Sequence, residues 1–168
     1  MLLFVAVSAF AAGQSVWVKA IVGNYERYKV FLNDTARVMP EEDYAFRLTP
    51  VQRPFGEWIE HTAVLVSNAC SQIKGVPSAP ASETHLKTKA EISKALEDSF
   101  AFCDGVLKDM DDAKAAREIT IGDRKVIPAN MMVGLIATLN EHYGNLVGYM
   151  RAKGITPPST ARAQQKKK

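Results

Sequence analysis

The chain has 168 residues, 47% of them hydrophobic and 23% charged, which is typical of one globular domain and excludes a disordered or fibrous protein. Its net charge of +3 arises at the C-terminal end, where six basic residues and no acidic one follow position 150, leaving 15 of the 21 basic residues against 18 acidic ones elsewhere. A body with a slight acidic excess does not fit a nucleic-acid-binding surface, so we expect no nucleic-acid partner.

The first residues, MLLFVAVSAFAAGQS, form an uncharged apolar run that ends in small residues. The run is too short to span a bilayer, which needs about 20 apolar residues. Its length and the Ala9-Phe10-Ala11 ending are typical of a signal peptide, although the basic segment that usually opens one is missing. We expect export to the periplasm or the medium after cleavage, without stable membrane insertion. The alternative is a cytoplasmic protein whose first helix begins here.

Four segments have apolar residues three and four positions apart, which is the period of one helix face. The predicted helices run from about Ser15 to Val38, from Pro54 to Gly75, from Thr88 to Met110 and from Asn130 to Lys153. Four amphipathic helices of this length predict an all-α four-helix bundle. The long linkers after the first and second helices allow crossover connections.

The segments that connect the predicted helices also contain sequence patterns that predict their structure. After the stop at Met39-Pro40, the segment EEDYAFRLTPVQR alternates aromatic and polar residues, so we expect it to lie extended across the bundle. The segment EITIGDRKVI has a Gly-Asp turn between β-branched runs, which predicts a small hairpin. We therefore divide the chain into a leader (1–13), one bundle domain (14–155) and a disordered basic tail (156–168).

The two cysteines, Cys70 and Cys103, are too few for a disulfide scaffold and match no metal-binding spacing. In an exported protein they can form one disulfide bond. In a cytoplasmic protein both are interpreted as small buried hydrophobic residues.

Two of the three histidines point toward the predicted core. His142 shares a stripe with Leu139 and Leu146 on the fourth helix, and His61 lies one turn after Trp58 on the second. Inward-facing side chains on neighbouring helices are how helical bundles build metal sites. Each histidine, taken alone, is also compatible with a core role in which one ring nitrogen is hydrogen-bonded. His85 lies in a polar linker and is expected to be solvated.

Three stretches resemble the DinB-like superfamily of metal-dependent bundle proteins: MPEEDYAFRLTPVQRPFGEWIEHTA (39–63), NEHYGNLVGYMRAKGITPPS (140–159) and the tyrosine-bearing first helix. The resemblance covers nearly the whole chain after the leader. It implies a four-helix bundle of up-down-down-up order. Characterised members include thiol-dependent transferases and isomerases that use bacillithiol or mycothiol, and many members have no assigned activity.

In that superfamily three histidines typically hold a divalent ion, one from the second helix and two, four residues apart, from the fourth. Carried over by resemblance, His61 and His142 match two of these ligands, and Thr138 stands at the third position. A neutral hydroxyl is a poor ligand for zinc or nickel. Glu57, one turn before His61, is a possible carboxylate substitute, whereas Glu141 is one residue off the right face of the helix.

Three hypotheses follow. The first is a DinB-like bundle with a partial site, at His61, His142 and Thr138, whose affinity for zinc, nickel or manganese is weakened or lost. The second is a working metal-dependent thiol transferase or hydrolase that acts on an unknown small-molecule substrate. The third is a non-catalytic binding or structural bundle whose apolar helix faces form a homodimer.

Overall fold

Long helices form where the apolar stripes of the sequence lie. The computed structural model describes residues 14–77 and 86–167, so the predicted leader and His85 lie outside the described residues. The long helices are α1 (Val16–Val38), α2 (Phe55–Lys74), α3 (Lys89–Leu107) and α5 (Pro128–Ala152). Between α3 and α5 lie the short helix α4 (Asp112–Ala116) and strands β1 (Ile119–Ile121) and β2 (Arg124–Val126), and α6 (Pro158–Gln165) follows α5.

The ends of these helices are set by local signals. The Ser15 hydroxyl accepts the Val18 N–H at the start of α1, and Thr88 and Glu91 form a capping box at the start of α3. Gly75 ends α2 in the left-handed region, with a φ of 76° that favours glycine. The expected bounds are therefore close to those observed, except that α5 begins two residues early, with Pro128 in its first turn.

The long helices form a four-membered ring in which α2 packs against α3 and α5, and α1 packs against α5 and α3. Pairs of contacts between two helices show whether those helices run parallel or antiparallel. Tyr28 bonds Asn140 and Phe31 stacks on Tyr143, so α1 and α5 run parallel. The other contacts show that α2 and α5 are antiparallel (Trp58 with Tyr149, Thr62 with His142), as are α1 and α3 (Lys29 with Asp104, Met39 with Lys89).

In chain order the long helices therefore run up, down, down and up, which confirms the predicted bundle and its topology. The parallel α2–α3 pair is joined by a disulfide between Cys70 and Cys103, whose Cα atoms are 5.3 Å apart. The hairpin is also confirmed, with Ile119 opposite Val126 and a two-residue turn in which Gly122 has a φ of 56°. In the described part of the chain, no helix is long and apolar enough to cross a membrane.

Two expectations about the connections are wrong. The linker after α1 is not extended throughout: Glu41–Asp43 form a 3-10 turn, after which the Tyr44 hydroxyl donates to the Ala36 carbonyl. The C-terminal tail is not disordered over Pro158–Gln165, which form α6. Contacts with the bundle stabilise this helix: the Tyr143 hydroxyl accepts the Ser159 N–H at 2.9 Å, and Arg162 pairs with Asp34 at 2.7 Å.

Candidate metal-ligand pair between α2 and α5

The rings of His61 and His142 lie side by side between two antiparallel helices. Their centroids are 5.3 Å apart, and the ring planes are inclined at 37°. His142 is buried on the inner face of α5, whereas His61 on α2 is half-buried. The Trp58 ring lies one turn before His61 and packs edge-on against His142, with centroids 5.2 Å apart. The structure thus brings the two histidines together.

A threonine orients the buried histidine. The Thr62 hydroxyl donates to the Trp58 carbonyl at 2.7 Å, one turn back in α2, and lies 3.1 Å from Nδ1 of His142. A hydroxyl has one proton, so once it is given to the carbonyl, the oxygen can only accept a bond from His142. This pattern assigns the proton of His142 to Nδ1 and leaves a lone pair on Nε2. A ring held by a hydrogen bond from its other nitrogen is how proteins present histidine ligands.

The electrostatics of the pair keep His142 neutral. Burial is the main cause, and the neighbouring His61 adds to it, so that the pKa of His142 falls from 6.5 to about 4. Glu141 acts in the opposite direction, and Arg53 acts in the same direction as burial. A general base works best when its pKa lies near the working pH. His142 is therefore better suited to offering a lone pair than to taking a proton near neutrality.

A chain of hydrogen bonds fixes the side chains that surround the two histidines. The Trp58 indole N–H donates to the Tyr149 hydroxyl at 3.1 Å, and that hydroxyl donates to the Arg53 carbonyl at 2.6 Å. The Arg53 guanidinium lies over the Trp58 ring, 5.8 Å from its centroid. These contacts tie α5 to the start of α2, so the ring positions are fixed by side chains whose own polar groups are bonded.

Among residues 14–77 and 86–167, the candidates for a third ligand lie away from the two histidines or are bonded elsewhere. The Thr138 side chain is half-buried, and its hydroxyl donates to the Gly134 carbonyl of the same helix at 3.1 Å. Glu57 is exposed and lies 3.9 Å from the Arg47 guanidinium, and Glu141 is exposed. Across residues 14–77 and 86–167, no three His, Cys, Asp or Glu side chains are grouped as a metal site would require. Catalytic zinc sites use three protein ligands, and the described residues supply two histidines here.

Sequence reasoning did not identify Thr62 and Tyr149 as parts of this site. Thr62 follows His61 directly and lies four residues after Trp58, the spacing at which a threonine can bond back to a helical carbonyl. Tyr149 lies seven residues after His142, on the same face of α5. Both signals are present in the sequence, but they also fit an ordinary helix interior.

The fold is shared with solved structures. A DinB-like protein from Bacillus subtilis has a TM-score of 0.68 and 18% identity, covering 82% of this chain and 94% of that chain. A DinB-like protein from Bacillus cereus has a TM-score of 0.71 and 15% identity, covering 83% and 95%. A protein from Exiguobacterium sibiricum, described as belonging to the DinB family, has a TM-score of 0.60 and 18% identity, covering 84% and 95%.

At these identities the likeness establishes the fold, and the resemblance seen in the sequence is confirmed at that level. No protein-family model matches the sequence, and no curated protein matches it.

Proposed function

We propose that this chain, whose fold is that of the DinB-like proteins, carries a reduced divalent-metal site in which His61 and His142 bind zinc, nickel or manganese only weakly. The observation that carries the proposal is the pairing of the two rings, 5.3 Å apart, with Thr62 turning His142 so that Nε2 holds its lone pair. The threonine at position 138 accounts for the weakness, because its hydroxyl is a poor ligand and is bonded to Gly134.

The main alternative is a working metal-dependent thiol transferase or hydrolase with a small-molecule substrate. That activity would need a third ligand, and the carboxylates considered for it, Glu57 and Glu141, are both exposed. No specific observation favours this alternative or the homodimeric bundle, so the reduced site is preferred.

We also propose that the protein is exported. The support is the disulfide between Cys70 and Cys103, because such bonds persist in oxidising compartments and are rare in the cytosol. The apolar N-terminal run and its small-residue ending support the same location.

Restoring a histidine at position 138 tests the proposal. We expect wild type to lose zinc, nickel and manganese on desalting, and Thr138→His to retain one equivalent by elemental analysis. Changes in outer-shell partners alter metal affinity by about 10–100-fold, so a new direct ligand should raise the affinity by at least that factor. Titration calorimetry with each metal measures the difference.

Two variants control the experiment. Ala137→His places the same residue on an exposed position of α5 and should leave the affinity at the wild-type level. His61→Ala combined with Thr138→His should lose the gain. Tight, stoichiometric metal in wild type would instead support the working enzyme, and no gain in Thr138→His would contradict a shared site.

A further inference from the structure

A groove of about 640 Å³ lies between α1 and α6, apart from the histidine pair. It exists because α6 folds back along α1, anchored by Ser159 at its start. The lining is mostly apolar, and its apolar side chains are Val30 and Phe31 of α1 and Ala163 of α6. The Phe31 ring stacks on Tyr143 at 5.0 Å, so α5 supports this wall of the groove. The volume lies within the range of about 300–1,000 Å³ that small-molecule sites occupy.

The groove carries an excess of positive charge. Three cations line it, Arg27, Arg162 and Lys166. Arg162 is neutralised by Asp34, 2.7 Å away. Burial alone would raise the pKa of Asp34, but hydrogen bonds from Arg162 and Arg37 outweigh it and hold that pKa below its usual value. The Asp34 carboxylate is therefore ionised and bound to its own partners.

The one acid in the lining is also engaged. The Glu26 carboxylate lies 2.6 Å from the Lys29 ammonium, which bonds Asp104 as well. Within residues 14–77 and 86–167, Arg27 and Lys166 form no ion pair. Two exposed cations thus border an apolar groove whose acids are already paired.

We propose that this groove binds an amphipathic carboxylate. The apolar body of the ligand lies on Val30, Phe31 and Ala163, where its burial is favoured by the hydrophobic effect. Its carboxylate lies at the rim and pairs with Arg27 and Lys166, since charge-assisted hydrogen bonds from Arg and Lys are strong and directional. Body and headgroup are both required: the apolar walls alone do not select an anion, and exposed cations alone bind one weakly.

Titration calorimetry with decanoate, decanol and acetate separates the contribution of the apolar body from that of the carboxylate. Decanoate should bind wild type with a stoichiometry of one, decanol at least about tenfold more weakly, and acetate without detectable heat. Arg27→Gln/Lys166→Gln should weaken decanoate binding by about tenfold or more while leaving decanol unchanged. The matched control is Lys108→Gln/Arg124→Gln, which removes two exposed cations elsewhere and should bind decanoate like wild type.

A second variant tests the groove without changing charge. Ala163→Phe, at an exposed position of α6, fills the space and should abolish decanoate binding, while circular dichroism and thermal unfolding stay at wild-type values. The proposal is overturned if decanoate binds all four proteins equally, if decanol binds as tightly as decanoate, or if neither ligand binds wild type. If decanoate fails to bind and Ala163→Phe converts a dimer to a monomer in sedimentation, the groove is instead filled by a second copy of the chain.

Discussion

The proton on His142 is positioned by an uncharged neighbour. Thr62 accepts from Nδ1 because its own proton is used by the Trp58 carbonyl, so the ring is fixed in one tautomer without an acidic partner. A carboxylate in the place of Thr62 would raise the pKa of the imidazole, since an opposite charge favours the protonated form. Because the Thr62 hydroxyl is uncharged, burial remains the dominant influence on the pKa of His142, and the ring stays neutral.

The stability of the protein should therefore decrease as the pH falls from about 6.5 to about 4. In that window the unfolded chain takes up a proton at His142 that the folded chain does not, because burial lowers the pKa of the folded imidazole to about 4. The full loss in the free energy of unfolding is about 3 kcal/mol, at about 1.4 kcal/mol for each pKa unit. Urea unfolding at a series of pH values, with a chelator present, measures it.

His142→Gln is the control for this titration. It removes the ionisable ring but keeps a polar side chain at the position, so the slope between pH 6.5 and 4 should become flatter. Asp34 titrates in a lower window, because its pKa is held below its usual value. Parallel curves for the two proteins would contradict the proposed role of His142.

At the scale of single elements, one tyrosine attaches α6 to α5. The Tyr143 hydroxyl of α5 donates to the Ser159 side chain at 2.8 Å and accepts the Ser159 N–H at 2.9 Å, which fixes the first turn of α6. Pro158 is the one buried residue of this helix. Short helices gain most of their stability from such tertiary contacts.

Tyr143→Phe should loosen α6 and leave the bundle intact. Loss of two hydrogen bonds is worth about 1–3 kcal/mol, so amide exchange over 158–165 should become faster while α1 and α5 keep their protection. Tyr28→Phe is matched to it, because it removes one hydroxyl bond between α1 and α5, to Asn140 at 2.8 Å. Equal exchange of α6 in wild type and both variants would show that Arg162 and Asp34 suffice to hold it.

The same elements show what the sequence allows to be predicted. The long helices follow from apolar periodicity together with local caps such as Thr88 and Gly75, so their bounds are predicted to within a few residues. The α6 segment, PSTARAQQ, has no apolar stripe, and contacts with Tyr143 and Asp34 decide its structure. The bundle predicts that His61 and His142 face each other. The hydrogen bond from His142 to Thr62 depends on a side-chain orientation that periodicity does not specify.

At the scale of the whole molecule, the disulfide joins α2 and α3. These helices are parallel, so the chain must return along the length of the bundle between them. Cys70 and Cys103 are 33 residues apart in sequence, and both are fully buried. Closing a loop of this length in the unfolded chain is worth about 3–4 kcal/mol in the chain-entropy description. The bond therefore contributes a substantial part of the about 5–15 kcal/mol by which a domain is usually stable.

Reducing the protein should lower its free energy of unfolding by about 3–4 kcal/mol. Denaturant unfolding with and without a reductant measures the change, and Cys70→Ala/Cys103→Ala should be insensitive to the reductant. Two free thiols in the denatured, unreduced protein, or equal stability in both conditions, would contradict the bond.

The order of the helices also separates partial charges of opposite sign into two halves at each end of the bundle. At one end the N-termini of α2 and α3 lie beside each other, and the C-termini of α1 and α5 fill the other half. Each terminus carries about half an elementary charge, so like partial charges are adjacent instead of alternating around the ring. The side chains compensate: Glu57 and Glu91 lie in the first turns of α2 and α3.

On the opposite half of that end, the Lys89 ammonium donates to the Arg37 and Met39 carbonyls, and Lys153 lies 2.6 Å from Asp43 beside the end of α5. Lys89 thus reaches from the first turn of α3 to the carbonyl groups at the end of α1, where its charge offsets the partial negative charge. A bundle with alternating helices would place these partial charges next to their opposites, whereas here the side chains must balance each half separately.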